Sequence, residues 1–149
     1  MTRTASGERK ALDTYYAAIA NYQTQGVTHE QATRLAFSTL LDTRARAQNW
    51  TLVLEQRLLN GMRPDGTLHD EFHLPRGYWE AKDTADDLDA EIAAKIARGY
   101  PLSNTIFEDT RRARLYQNGR PAFEADLQER SQLTALLQQF FDHTGAQIE

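Results

Sequence analysis

A Pro-Asp pair, followed fifteen residues later by a Glu-x-Lys triplet, is the feature that most constrains the fold of this chain. The pair is Pro64-Asp65 and the triplet is Glu80-Ala81-Lys82. Because strand side chains alternate between faces, Glu80 and Lys82 project to the same side of a strand. If the segment after Asp65 pairs with that strand as a hairpin, the two strands lie about 4.8 Å apart and Asp65 joins the other two residues. Two carboxylates and an ammonium gathered there can hold a divalent cation and a water, which is the equipment for hydrolysing a phosphodiester.

The composition indicates one folded domain. The chain has 149 residues, of which 40% are hydrophobic and 26% charged, and this balance is globular rather than disordered. No apolar run approaches the roughly 18 residues that span a bilayer, and the first residues lack the apolar core of a signal peptide. Cysteine is absent, which excludes a disulfide framework and a thiolate zinc site. We therefore expect a single domain over residues 1–149 of a cytoplasmic protein, with no membrane partner.

Periodicity, capping signals and turn residues predict a mixed order of helices and strands. Helices are expected over residues 8–25, from residue 28 onward, from residue 84 to 99, and over residues 127–143. Strands are expected over residues 50–58, 66–72, 78–83, 103–108 and 113–117. Residues 74–77 are expected to form the turn of the central hairpin, and Asn118-Gly119 is the strongest short turn signal. The predicted class is α/β, with a small mixed sheet flanked by helices.

Four segments carry a resemblance to a known family. They are Pro-Asp-Gly at 64–66, Tyr-Trp-Glu-Ala-Lys-Asp at 78–83, an acidic helix start at 86–92 and Asn-Thr-Ile-Phe-Glu-Asp at 104–109. Together they resemble the PD-(D/E)xK nuclease superfamily, and more narrowly the Mrr-like domain at the amino terminus of single-chain restriction-modification enzymes of the Type ISP and Type IIG-like kinds. In those enzymes an adenine-specific methyltransferase lies downstream, joined in Type ISP members by a helicase-like motor. The resemblance covers most of the chain from about residue 28, and implies a restriction-endonuclease-like core within a larger polypeptide.

The resemblance also implies roles for the motif residues. Asp65 and Glu80 would ligate a metal ion together with the backbone carbonyl of Ala81. Lys82 would orient the attacking water or help to deprotonate it. Mg²⁺ is the implied cofactor, with Mn²⁺ able to substitute, because Mg²⁺ takes few carboxylates and keeps several waters. The implied activity is hydrolysis of DNA phosphodiester bonds, with a transient dimer as one means of cutting both strands.

Two further acidic residues compete for a place in this site. Asp70 lies ten residues before Glu80, and a tight hairpin would put it nearly opposite that residue. The Pro-Asp-Gly context and the fuller strand length favour Asp65 instead. Glu30 is an auxiliary candidate because the family often adds an acidic residue from the first core helix. A carboxylate near a helix start is equally explained by the helix dipole.

The net charge of −4 argues against tight unaided binding to nucleic acid, since such affinity comes largely from neutralised phosphates. A chain of this kind that cuts DNA would depend on attached or partner domains for grip. The densest basic group consists of Arg111, Arg112, Arg114 and Arg120. These arginines are equally compatible with contacts to the phosphate backbone and with salt bridges on a solvated hairpin.

Two other functions fit the same residues. One is a catalytically inactive nuclease-like fold that serves as a docking module for nucleic acid or protein. The other is a small structural domain in which Glu80 and Lys82 form a surface ion pair. Carboxylates of Asp65 and Glu80 that point apart would favour either of them. No base-reading element is recognisable, so the sequence does not reveal a target site.

Overall fold

The computed structural model describes residues 2–26, 30–83 and 87–143. Within these ranges the chain forms four helices and six strands, which confirms the predicted α/β class. In chain order the elements are α1 (Thr2–Thr24), α2 (Glu30–Arg46), β1 (Thr51–Leu54), β2 (Gly66–His69), β3 (Pro75–Ala81), α3 (Leu88–Ala97), β4 (Asn104–Glu108), β5 (Arg112–Gln117), β6 (Arg120–Asp126) and α4 (Arg130–Phe141). Over the same ranges, no helix combines the length and apolar character needed to cross a membrane.

The six strands form one mixed sheet in the order β1-β2-β3-β4-β5-β6. Neighbouring strands are antiparallel except for β3 and β4, which run parallel. A parallel pair requires a crossover connection, and α3 lies in that connection. The register places Glu80 beside Phe107 and Ala81 beside Glu108. The helix that follows the Glu-x-Lys strand is therefore part of the topology that brings β4 alongside it.

Helices cover both faces of the sheet. On one face α1, α2 and α4 pack over the main core, where the Trp79 ring is fully buried and stacks on Phe37 with centroids 5.8 Å apart. On the other face α3 buries Leu88 and Ile92 against Phe107. Burial of Trp79 in the main core confirms the expected alternation along β3. Its neighbour Glu80 consequently faces α3.

The central hairpin differs from the prediction at its turn. Residues 74–77 were expected to turn, but β3 already begins at Pro75 and the connection spans residues 70–74. The side chain of Asp70 accounts for this difference, because its Oδ1 accepts hydrogen bonds from the backbone N–H groups of Phe72 and Leu74. These bonds satisfy the donors of the loop and end β2 at His69.

Other boundaries also shift. The strand expected over residues 50–58 ends at Leu54, because Glu55 adopts a φ of 53°, which interrupts the extended backbone. The turn at Asn118-Gly119 is confirmed, with φ values of 56° and 81°, and it leads into β6. The helix starts expected at residues 28 and 84 fall outside the described residues.

Candidate functional site

The hairpin of β2 and β3 brings the two motif carboxylates together. Gly66 pairs with Trp79, so Asp65 lies beside Glu80 at the end of the hairpin away from its turn. The Asp65 backbone N–H donates to Glu80 Oε1 at 3.1 Å, and Asp65 Oδ2 accepts from the Ala81 N–H at 2.7 Å. The Glu80 carboxylate is therefore bonded to the Asp65 main chain, and the Asp65 carboxylate is bonded to the main chain of the residue after Glu80.

The glycine of the Pro-Asp-Gly segment has a packing role next to this pair. A Cβ atom on Gly66 would lie 2.8 Å from the Leu52 side chain and 2.9 Å from the Trp79 ring. Such distances are too short for any side chain, so only glycine allows β2 to approach the ring. The residue after Asp65 thereby keeps the two strands in the register that joins Asp65 to Glu80.

Two lysines lie beside Glu80. Its Oε2 is 3.8 Å from Lys82 Nζ and 3.0 Å from Lys95 Nζ. Lys82 also pairs with Glu91 Oε1 at 3.3 Å. Lys82 thus lies where the motif predicts, and α3 adds a second ammonium and a third carboxylate that the motif does not contain.

Sequence reasoning missed Lys95, although a signal for it exists. Leu88 and Ile92 form the buried stripe of α3, and Lys95 continues that stripe at helical spacing. A crossover helix packs on the sheet that it connects, so a lysine on its inner stripe lies near the strands. Lysine is also rare in this chain, which contains three lysines and fourteen arginines, so each lysine stands out in the sequence.

Burial and charge act together on these groups. Burial raises the pKa of the Glu80 carboxyl, the nearby Asp65 carboxylate adds to the rise, and Lys95 opposes it. For Lys95, burial acts to lower the pKa of the ammonium, but the contacts with Glu80 and Tyr100 raise it above its ordinary value. The Lys95 ammonium lies 4.7 Å from the Tyr100 ring centre and donates to its hydroxyl at 3.3 Å. Lys95 is thereby held in its charged form.

Asp65 also faces the outside of the domain. Its Oδ1 lies 3.7 Å from Arg34 Nη1, and both residues line an open pocket between α2 and the segment that follows β1. Leu54 and Glu55 form part of the opposite wall. Asp65 is therefore reachable from this surface, whereas Glu80 does not line the pocket and is 5% exposed.

The donor set fits a hard divalent cation that keeps several waters. Asp65 and Glu80 could supply carboxylate oxygens, and the main chain of Ala81 lies next to Asp65 through its N–H. Across residues 2–26, 30–83 and 87–143, the structure contains no group of three or more Asp, Glu, His or Cys side chains placed to hold a metal. A site with two carboxylates matches Mg²⁺, which is bound through one or two carboxylates and otherwise by water and substrate oxygens.

The tight hairpin that would put Asp70 opposite Glu80 does not form, since Gly66 pairs with Trp79. Asp70 is at the turn end of the hairpin, where its Oδ2 accepts from Arg76 Nε at 2.7 Å. Burial alone would raise the pKa of the Asp70 carboxyl, but the hydrogen bonds from Leu74, Arg76 and Phe72 lower it. Its carboxylate therefore stabilises the turn. Glu30 is the first residue of α2, and its side chain lies outside the described part of the chain.

The basic group divides into two pairs. Arg112 and Arg114 both pair with Asp89 at the start of α3 and with Glu124 on β6. These contacts correspond to the salt-bridge alternative for this pair. Arg111 and Arg120 are exposed, so their contact with phosphates stays a prediction.

A second buried glutamate lies on the opposite face of the sheet. Glu108 Oε2 accepts from Trp79 Nε1 at 3.0 Å, and its Oε1 accepts from the Thr110 N–H at 2.7 Å. Burial raises the pKa of Glu108 to about 8, so the carboxyl is mostly protonated at neutral pH. Sequence reasoning did not single out Glu108, because the motif does not show which face of the sheet the Glu108 side chain lies on.

Comparison with known proteins identifies a related solved structure. No protein-family model matches the chain, and no curated protein matches it. Seven chains of solved structures do match. One belongs to a cryo-EM structure of a DrdV–DNA complex, with a TM-score of 0.86 and 38% identity over 93% of this chain. The match confirms the fold class. It covers 14% of the DrdV chain, so this chain corresponds to about a seventh of that longer protein.

Proposed function

We propose that this chain is a magnesium-dependent DNA endonuclease domain, the cleavage module of a restriction-modification enzyme. One observation carries the proposal: Asp65 and Glu80 contact each other at one end of a hairpin, and Lys82 Nζ lies 3.8 Å from Glu80 Oε2. Such a group can hold a cation and a water next to a phosphodiester. The choice of DNA is supported by the similarity to a chain whose solved structure is a DNA complex.

The proposed chemistry assigns each side chain one task. Asp65, Glu80 and the Ala81 carbonyl would hold Mg²⁺, or Mn²⁺ in its place. The ion, when bound, offsets the negative charge that grows on the phosphate and makes water more acidic. Lys82 orients the attacking water and stabilises the same developing charge. The water oxygen bonds to phosphorus in line with the leaving sugar oxygen, whose bond to phosphorus breaks; the water loses a proton to solvent, and the leaving oxygen takes one from solvent.

The setting of this domain is part of the proposal. The net charge is −4, and two arginines of the basic group are paired with acidic residues. Isolated binding to DNA is therefore weak, and covalently linked methyltransferase and helicase-like domains provide grip and sequence choice. A transient dimer allows both strands to be cut. The protein works in the cytoplasm, where its DNA substrate is.

One observation favours the alternative of a catalytically inactive docking module. Each oxygen of Glu80 already has a partner within the protein, Oε1 with the Asp65 N–H and Oε2 with the lysines. A site in which those contacts persist binds no metal, and the fold would then serve only to contact nucleic acid or protein. The two functions differ in whether the chain cuts DNA.

Cleavage of supercoiled plasmid with Mg²⁺ or Mn²⁺ at high protein concentration tests the proposal. We expect nicked plasmid from the 149-residue chain, and a loss of about 100-fold or more in Asp65→Asn and Lys82→Ala. Asp70→Asn is the matched control, since it removes the same charge at the other end of the hairpin and retains an oxygen for the turn. Cleavage that survives Asp65→Asn would contradict the assigned ligand. Folded protein that binds DNA without cutting it, both alone and when joined to its methyltransferase domain, would establish the docking module.

A further inference from the structure

The closest charged partner of Glu80 comes from α3 rather than from the motif. Lys95 Nζ lies 3.0 Å from Glu80 Oε2, against 3.8 Å for Lys82. The Lys95 side chain is 12% exposed and that of Glu80 is 6% exposed, so little water competes for the contact. A buried carboxylate needs such a partner, because an isolated charge is strongly disfavoured away from water.

The two lysines are held in different ways. Lys82 forms ion pairs with both Glu80 and Glu91. The Glu91 Oε1 atom lies 3.3 Å from the Lys82 ammonium, and Glu91 is the more exposed of the two glutamates. The Lys95 ammonium lies over the Tyr100 ring and also donates a hydrogen bond to the Tyr100 hydroxyl. Each lysine therefore has a partner besides Glu80, which is Glu91 for Lys82 and Tyr100 for Lys95. Of these two lysines, only Lys95 combines a 3.0 Å contact to Glu80 with a cation–π contact.

The described ion pairs around Glu80 match carboxylates with cations. The ion pairs described here join the carboxylates of Asp65, Glu80 and Glu91 to the cations of Arg34, Lys82 and Lys95. Three negative groups thus face three positive groups. A divalent cation that binds Asp65 and Glu80 would add two positive charges beside these cations. Repulsion from the nearest ammonium then opposes its binding.

We propose that Lys95 is a positioning residue that takes the place of the metal on Glu80 and thereby sets the metal affinity of the site. The inference rests on the proposed function, because it assumes that Asp65 and Glu80 are the metal ligands. Without metal, the Lys95 ammonium neutralises Glu80 and holds its Oε2. When metal binds, Oε2 is released and the ammonium keeps its contact with the Tyr100 hydroxyl. Lys95 consequently weakens metal binding relative to a site without it.

Mn²⁺ binding to the 149-residue chain, measured by titration calorimetry, tests this role without relying on cleavage. We expect Lys95→Met to bind Mn²⁺ at least about fivefold more tightly than the wild type, the lower range of coupling between two sites. The same variant has a lower thermal midpoint without metal, because Glu80 then lacks its nearest cation. A lysine that only supported the fold would not tighten metal binding when removed.

The chain offers a matched control for net charge. Lys10 is exposed on α1, so Lys10→Met removes the same charge away from the ion pairs around Glu80. We expect its Mn²⁺ affinity to stay within about twofold of wild type, because exposed distant charges are screened. If Lys95→Met does not fold, Lys95→Gln keeps a polar end of similar length and is expected to tighten Mn²⁺ binding in the same direction.

Failure of the inference and failure of the proposed function give different results. Glu80→Gln removes a proposed ligand and identifies the binding event that belongs to this site. If wild type binds Mn²⁺ and Glu80→Gln does not, equal or weaker binding by the folded Lys95 variants overturns the role of Lys95 alone. If neither wild type nor any variant binds Mn²⁺, the metal site is wrong and the inference falls with it.

Discussion

Glu80 and Glu108 are two buried glutamates at the same end of neighbouring parallel strands, and they face opposite sides of the sheet. The first is 5% exposed and the second 2% exposed. Burial raises the pKa of both carboxyls. Their partners differ, since Glu80 contacts two ammonium groups, whereas Glu108 accepts from the Trp79 indole and a backbone N–H.

The difference shows that burial and a raised pKa do not by themselves identify a site. Around Glu80, a second carboxylate and several cations make an environment in which a charged group can exchange partners. Around Glu108, two neutral donors are satisfied by a protonated or an ionised carboxyl alike, and the residue stabilises the fold.

The largest expected effect separates the two glutamates by cleavage. Glu80→Gln removes a proposed metal ligand and is expected to reduce plasmid cleavage by about 100-fold or more. Glu108→Gln is expected to change it by less than about tenfold, the change that about 1.4 kcal/mol in the barrier produces. Both variants are measured with the same plasmid and metal as the wild type, after circular dichroism shows that each is folded. If Glu108→Gln lost as much cleavage activity as Glu80→Gln, Glu108 would belong to the cleavage site and the two glutamates would not differ in role.

A second prediction concerns the pH dependence of stability. The pKa of Glu108 rises from an ordinary value of 4.5 to about 8 in the folded chain, so folding takes up a proton between these values. Its contribution is therefore fully present below about pH 4.5 and is lost as the pH rises through about 8. The free energy of unfolding of the wild type should fall over this window, by at most about 1.4 kcal/mol per pH unit from this group.

Urea unfolding at a series of pH values between 5 and 8.5 measures this effect. Glu108→Gln is expected to flatten the decline, because the amide does not titrate. It is also expected to lose about 1–3 kcal/mol at pH 5, since one oxygen cannot accept from both Trp79 and Thr110. Glu71→Gln, at an exposed position in the hairpin turn, is the control and should keep the wild-type slope. A slope unchanged by Glu108→Gln would assign the pH dependence elsewhere.

The same contrast explains what could be predicted from the sequence. The meeting of Asp65 and Glu80 depends on strand alternation and on the pairing of two segments close in the chain, and both can be inferred locally. The place of Asp70 could not, because side-chain hydrogen bonds to Phe72 and Leu74 decide where the hairpin turns. The position of the turn decides whether Asp65 or Asp70 lies beside Glu80.

Lys95 and Glu108 were not predicted from the sequence because non-local packing determines their positions. Lys95 reaches Glu80 because β3 and β4 are parallel and their connecting segment lays α3 over one face of the sheet. Glu108 is buried because the register of the same strand pair puts it beside Ala81. The fold class follows from the order of elements, but the parallel pairing of β3 with β4 requires the whole topology.

The smallest expected effect comes from the other end of α3, where ion pairs are exposed. Asp89 is 57% exposed in its side chain and pairs with Arg112 at 3.2 Å, whereas Glu80 is 6% exposed in its contact with Lys95. The hydrogen bond from Arg114 lowers the pKa of Asp89, but solvent screens such pairs and their contribution to stability is small. Arg112→Ala should therefore lower the thermal midpoint by at most about 4 °C at low salt, and by less at high salt.

The same variant tests whether Arg112 contacts DNA. A phosphate contact would reduce the salt dependence of DNA affinity by about one counterion when the arginine is removed. Because Asp89 and Glu124 already neutralise Arg112, we expect no change in that slope, measured by fluorescence anisotropy with a DNA duplex at several salt concentrations. Arg120→Ala, at an exposed position on β6, provides the comparison. A smaller slope in Arg112→Ala would mean that DNA displaces the acidic partners, so exposed ion pairs would exchange partners as we propose for the buried Glu80.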